Sequence, residues 1–255
     1  VKDLPKGKVL ILDIDGEKFK KNKFFWGHDF VLGTLHNFGG RMVLHGDIKA
    51  VSQNKYMKLA QKKPNLVGTG LFPEAIGHNP MYYDLVLEML TADNRVNLEE
   101  WIAAYAERRY GYQSQGAYQA LSSLKNSVYK KGSDMVDTGC VMLARPTMTA
   151  EMSAPFAGKL EPAFDLGRLV ESLKLLYGEF DNLEKSDAYR YDLVDLLREI
   201  LSNVSLNYYR NVQSAYATRD ARAFREAANR FLELINDTDD LLSVRREFDL
   251  QTWLD

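Results

Sequence analysis

The 255-residue chain has a single cysteine, Cys140, so no disulfide can form within it. It has no apolar run long enough to cross a bilayer, which excludes a helical membrane span. It lacks an excess of either charge: 33 Lys and Arg stand interspersed with 35 Asp and Glu, for a net charge of −2. With no basic stripe it is not expected to bind nucleic acid, and with no acidic tail it has no candidate disordered arm. Histidine is scarce, and His28, His36, His45 and His78 never pair at the i, i+4 spacing of a zinc-binding helix, so no metal site is expected. The dipeptide His28-Asp29 reads as a surface turn. Cys140, within Gly139-Cys140-Val141-Met142, reads as a buried inert thiol rather than a nucleophile. Leu35-His36-Asn37-Phe38-Gly39-Gly40 has glycines but no lysine and does not form a phosphate loop, so no cofactor is expected. No signal-like segment is present and the chain starts at Val1, which points to a mature chain or an excised fragment.

What is present falls into two parts. Tyrosine leads a high aromatic content, which suits carbohydrate handling without specifying it. In the first part apolar runs alternate with helical stretches. Strands are expected over residues 8–16, from Phe30 onward and over 65–71, with helices over 42–61 and 81–90. Continuous rather than alternating apolar strands, linked through helices, predict a parallel sheet buried on both faces. Each run ends in polar residues: Asp13 and Asp15, His36 and Asn37, and Glu74. Strand ends of a parallel sheet or barrel share one face, where active sites form. Three strands make a poor sheet alone, and a complete (β/α)8 barrel needs about 250 residues. The segment is therefore expected to be the C-terminal part of a larger domain, or to be completed by a partner piece. From about Asp93 the pattern becomes helical. Helices are expected from Asn97 to Tyr110, over 116–129, 166–176, 189–218 and 221–236, with a loop over 133–162 and a closing aromatic segment from Phe248. The fold class is α/β followed by all-α, divided as 1–93 and 94–255.

Val67-Gly68-Thr69-Gly70-Leu71-Phe72-Pro73-Glu74 is the most informative stretch. A short strand runs into glycines, which let another backbone or a ligand come close, and then into a lone carboxylate. Glu74 fits a catalytic role at a strand end, and equally a carboxylate at the positive end of the following helix. Asp13 and Asp15 fit a role in glycoside hydrolysis, which needs two carboxyl groups about the bond, and also fit loop capping.

Leu35-His36-Asn37-Phe38-Gly39-Gly40 and Val67 through Glu74, followed by Asn79 and Tyr83-Asp84, resemble glycoside hydrolase family 89, the α-N-acetylglucosaminidases. Arg108-Arg109-Tyr110-Gly111, Arg190-Tyr191-Asp192 and Trp253-Leu254 look like later family landmarks, in order along the whole chain. The resemblance implies the last strands of a (β/α)8 barrel with an appended helical C-terminal domain. It implies removal of terminal α-linked N-acetylglucosamine by a retaining double displacement, with Glu74 as nucleophile and the acid/base glutamate outside this chain. It further implies that His36 and Asn37 either hydrogen-bond the sugar or hold the loop, with Phe164 and Asp165 near the sugar. The partners implied are a carbohydrate substrate and the missing N-terminal barrel portion, in a secreted, periplasmic or lysosomal setting. Leu32 and Ala163 stand where the family commonly has tryptophan, and Ala75 where it has glycine, which motivates an alternative: a non-catalytic carbohydrate-binding or scaffold remnant.

Overall fold

The structure, a computed structural model, describes residues 1–36, 43–73, 78–92, 95–130, 140–143, 148 and 164–254. The chain divides into two compact units, Val1–Leu98 and Glu99–Asp255.

In the first unit the three apolar runs become strands β1 (Leu10–Asp13), β2 (Asp29–Thr34) and β3 (Leu66–Leu71), paired in that order and all parallel. The register runs from Leu10↔Asp29 to Asp13↔Leu32, and from Val31↔Gly68 to Thr34↔Leu71 after a bulge at Phe30/Val31. Parallel pairing requires crossover connections. The first is α1 (Lys18–Lys21) followed by a 3-10 turn, Lys23–Gly27. The second holds α2 (Ile48–Ser52) and α3 (Lys55–Ala60). The single helix expected over 42–61 is thus broken. Asn54 sits between the two pieces in the left-handed region, at φ 46°, where Asn is tolerated better than most residues, and its amide donates to the Ala92 carbonyl at 2.6 Å. Helix α4 (Pro80–Thr91) closes the unit.

One sheet face carries the core. Phe19, Phe25, Phe30 and Leu66 are buried together, with Ile11, Leu32, Tyr56 and Leu59 packed against them. Each such burial stabilises the fold by about 1.5–3 kcal/mol. That gain offsets an unusual backbone. Lys23, Phe24, Phe25 and Trp26 all have φ near +50°, a left-handed turn that costs roughly 1–2 kcal/mol per residue. The turn drives Phe25 under Phe30, ring centroids 5.2 Å apart. The Asn65 amide binds its carbonyls at Phe24 and His28, at 3.0 and 2.8 Å, and the Lys6 ammonium reaches that of Trp26. On the opposite sheet face, within this chain, Leu10 and Leu12 are 55% and 51% exposed. In β1 they alternate with Ile11, whose side turns to the core, so the strand's apolar run is covered on one face.

The second unit contains α5 (Leu98–Tyr110), α6 (Gln115–Lys125), a 3-10 turn (Val141–Leu143), α7 (Leu166–Tyr177), α8 (Phe180–Leu183), α9 (Asp187–Ala217), α10 (Ala221–Ser243) and α11 (Leu250–Leu254). Helix α8 falls outside the expected elements, and α10 continues past Asn236. Most of the loop read over 133–162 lies outside the described residues. The 31-residue α9 is the spine, packed on both α7 and α10. Polar pins set its neighbours. Tyr189 is fully buried and donates to the Leu176 carbonyl at 2.9 Å, while Ser172 donates to Ala120 at 2.6 Å. Phe248 stacks on Tyr191 at 5.1 Å, which docks the closing segment as expected. The Trp253 side chain lies outside the described residues.

A fork of two hydrogen bonds ties α5 to α9: Arg109 Nε and Nη2 donate to the Asp192 carboxylate at 2.5 and 2.6 Å, and Tyr110 Oη donates to it at 2.9 Å. Removing one member of a buried pair strands the other's charge. Asp192→Ala is therefore expected to lower unfolding stability by about 3–5 kcal/mol in urea titration. A loss below about 1 kcal/mol would place the pair with the weak surface ion pairs instead.

Candidate active site

Parallel pairing brings the C-terminal ends of β1, β2 and β3 to one edge. At β1 the carboxylates serve the backbone. Asp13 is buried and accepts from the amides of Lys18, at 3.1 Å, and Phe19, at 2.8 Å. Asp15 accepts from the Glu17 amide at 3.1 Å and pairs with Lys18 at 2.7 Å; the Lys18 hydrogen bond holds its carboxyl below the usual range. Of the two readings open for these residues, loop capping is the one the geometry favours. Gly33 on β2 explains the closeness of the β1 end, since a Cβ there would lie 2.2 Å from the Ile14 carbonyl oxygen. On β3, Gly70 makes room for the ring of Phe72, which a Cβ would meet at 3.2 Å. Glu74 and Asn37 lie outside the described residues, as do Gly39, Gly40, Ala75 and Ala163.

The end of β2 builds an aromatic stack. His36 lies between His45, with ring centroids 4.0 Å apart and 8° between planes, and Tyr82, at 3.8 Å and 19°. Tyr83 meets it edge-on at 5.3 Å, and His78 lies beyond at 6.3 Å. Gly46, at φ +143°, admits the Tyr82 ring, because a Cβ there would fall 2.4 Å from Cδ2. Burial, together with the nearby His45 and His78, presses the His36 pKa from 6.5 to about 2, so the ring is neutral. Burial also pushes the Tyr83 hydroxyl up to about 12. The Nε2 of His36 is 3.0 Å from the His45 carbonyl oxygen, which can only accept, so the ring's proton sits on Nε2. Nδ1 is then a lone-pair acceptor, buried and without a hydrogen-bond partner among the described residues. His36 thus offers an acceptor and no acid proton.

The remaining expectations divide. His28 is 1% exposed, not a surface turn, and directly follows the left-handed turn of Lys23 to Trp26 and Gly27. Leu32, which stands where the family commonly has tryptophan, packs against the Phe19, Phe25, Phe30 and Leu66 core. Phe164 and Asp165 belong to the second unit, where Asp165 caps α7 by accepting from the Gly167 amide at 2.9 Å and faces Arg168 at 3.7 Å. Cys140 is half-buried, its Sγ 3.9 Å from the Ser202 carbonyl oxygen. Among the described residues no group of three His, Cys, Asp or Glu is arranged to hold a metal, and no helix is long and apolar enough to cross a membrane. Sequence reasoning did not single out His45 and Tyr82 as members of the site. Their only signal was position, shortly after a strand end and just inside a helix that starts with proline.

Comparison with known proteins gives matches along both units. A family model described as the α-N-acetylglucosaminidase (NAGLU) tim-barrel domain matches residues 1–93, and one described as its C-terminal domain matches residues 101–255. Human α-N-acetylglucosaminidase is 30% identical over 261 residues, which covers 99% of this chain and 34% of the human protein. A family 89 glycoside hydrolase from Clostridium perfringens in complex with PUGNAc superposes with a TM-score of 0.89 at 27% identity, covering 98% of this chain and 28% of that one. The Clostridium perfringens enzyme with two glutamates replaced by glutamine, in complex with its substrate GlcNAc-α-1,4-galactose, superposes at 0.86 with 27% identity, over 95% and 28% of the two chains. The chain thus spans about a third of the length of the curated relative it matches.

The state of His36 sets a pH dependence. In the unfolded chain its ring titrates near 6.5, whereas in the fold it stays neutral down to about 2. Below 6.5 the unfolded state binds a proton that the folded state refuses, so stability falls as pH drops. At pH 5.5 this ring's contribution to that loss is about 1.4 kcal/mol. Urea midpoints measured from pH 7 to 5 should fall less steeply for His36→Phe than for the wild type; equal slopes would show that the ring ionises within the fold.

Proposed function

The chain belongs to the α-N-acetylglucosaminidase family, glycoside hydrolase family 89, and from that footing we propose that the protein it forms part of removes terminal α-linked N-acetylglucosamine from glycans or glycosaminoglycan. The observation that carries this reading is the run of family matches along residues 1–93 and 101–255. The capping duties of Asp13 and Asp15 add to it, since they leave Glu74 as the strand-end carboxylate read for chemistry. In a relative of 27% identity, replacing two glutamates by glutamine accompanies a complex with the substrate itself.

On this reading residues 1–93 are the closing strands of a (β/α)8 barrel and 94–255 its helical appendage. Exposed Leu10 and Leu12 then face the barrel interior, and the outer edge of β1 receives the strands supplied by the rest of the protein. Glu74 attacks the anomeric carbon and forms a glycosyl–enzyme ester. A glutamic acid on a barrel strand outside these residues first protonates the departing oxygen and then, as its conjugate base, activates water. Such a pair works at about 5–5.5 Å separation. Neutral His36 takes no part in proton transfer. On this reading His36 and Asn37, at the strand-end motif, shape the sugar site by hydrogen bonding.

The full-length protein is expected to hydrolyse an aryl α-N-acetylglucosaminide, and Glu74→Ala to lower kcat by roughly ten-thousand-fold with the unfolding midpoint unchanged. Near-wild-type turnover in that variant would remove Glu74 from the mechanism. Sugar binding by calorimetry without hydrolysis in the wild type would favour a carbohydrate-binding remnant. The 255-residue chain alone should show no turnover in the same assay, because a nucleophile without its acid completes neither step; hydrolysis by it would place the acid within these residues.

A further inference from the structure

Asn79 precedes Pro80 at the start of α4, the position where an asparagine side chain ordinarily caps its own helix. Here it makes no such cap. Its side chain instead reaches the segment that follows β2. Oδ1 accepts from the His45 amide at 2.9 Å, and Nδ2 donates to the Val43 carbonyl at 2.9 Å. The residue is fully buried and adopts φ 48°, ψ 47°, a left-handed conformation that turns the side chain away from the helix axis. Its own carbonyl accepts from the amides of Tyr82 and Tyr83, at 3.0 and 3.1 Å. One residue therefore holds the stretch from Val43 to His45 with its side chain and the first turn of α4 with its backbone.

That stretch is tied in turn to the end of β2. The Nε2 of His45 is 2.8 Å from the His36 carbonyl oxygen, and its Nδ1 is 3.0 Å from that of Val43. His36 answers with Nε2 toward the His45 carbonyl. These reciprocal contacts hold His45 against His36 at the end of β2. Buried amide bonds of this kind cost more when broken than they contribute when made, so the arrangement resists displacement.

We propose that Asn79 is a positioning residue of the glycosidase site, fixing His45, and through it the His36 ring at the end of β2, against the first turn of α4. The inference rests on the glycosidase reading above. It assigns Asn79 no contact with substrate. Its effect runs through the placement of the groups that make such contact, and a misplacement on the order of 1 Å costs about a hundredfold in rate.

The test uses the full-length protein with Asn79→Ala and Asn79→Asp. The aspartate keeps an acceptor toward the His45 amide and sets a carboxylate oxygen, in place of the donor, against the Val43 carbonyl. Folded sites are counted by calorimetric titration with 2-acetamido-1,2-dideoxynojirimycin, and hydrolysis of an aryl α-N-acetylglucosaminide is expressed per titrated site. A purely structural role lowers the number of sites and leaves kcat per site unchanged. A positioning role lowers kcat per site, expected here at about 10–100-fold in both variants. Amide exchange of His45 should quicken in Asn79→Ala and stay slow in Asn79→Asp. Values of kcat per site within twofold of wild type in both variants would overturn the positioning role, as would a complete loss of titratable sites in both, which would assign Asn79 to folding. A wild-type protein that hydrolyses nothing would overturn the functional reading and the positioning role with it, whereas a hydrolysing wild type with unimpaired variants would overturn the positioning role alone.

Discussion

Parallel pairing of β1, β2 and β3 is the constraint from which the first unit follows. Parallel strands cannot be joined by tight turns, so each is followed by a crossover that carries helix or 3-10 turn. Every strand then enters from the same side, and every polar strand end emerges on the same edge. The crossovers also account for the core. Phe19 and Phe25 from the first connection, and Tyr56 and Leu59 from the second, cover the sheet face presented by Phe30 and Leu66. The left-handed turn at Lys23–Trp26 is tolerated because Phe25 reaches that face through it.

Along the strand-end edge, side chains divide by what already occupies them. A carboxylate that accepts two backbone amides, as Asp13 does, has its lone pairs committed and its charge shared with a helix start. A histidine buried in a stack, as His36 is, loses the charged form that would make it an acid. Asn79 spends its amide on the backbone of Val43 and His45. Along the described part of the edge Asp13 and Asn79 are thus committed to backbone partners, while the His36 Nδ1 is left as an acceptor without one.

In the helical unit, apolar spacing alone leaves the pairing of helices under-specified, because many ridges fit many grooves. Directional contacts select among them. The Arg109–Asp192 fork chooses which turn of α9 meets the end of α5, and Tyr189 and Ser172 do the same for α7 against its neighbours. A second buried group, Asp195 with Arg198 and Glu199, lies along α9 itself. Burial raises the Asp195 pKa, while Arg198 opposes the rise.

The sequence by itself determined the parts governed by local periodicity and by motif. The apolar runs at Leu10, Phe30 and Leu66 became strands, the apolar residues at helical spacing from Leu193 to Tyr208 marked α9, and the His36-Asn37 and Glu74 motifs led to the family that comparison then showed. Tertiary structure alone decided what each polar side chain does. Asp13 and Glu74 look alike in sequence, as carboxylates closing apolar runs; whether such a group caps a helix depends on where the following amides fall in space. His28 reads as exposed beside Asp29, yet it is buried, directly after a left-handed turn that is invisible to residue spacing. Asn79 stands at the N-cap position of α4, and its side chain instead binds a segment more than thirty residues earlier, near Val43 and His45. Periodicity reports which way a residue faces within its own element; the partner it meets there is set by long-range pairing, which no local pattern encodes.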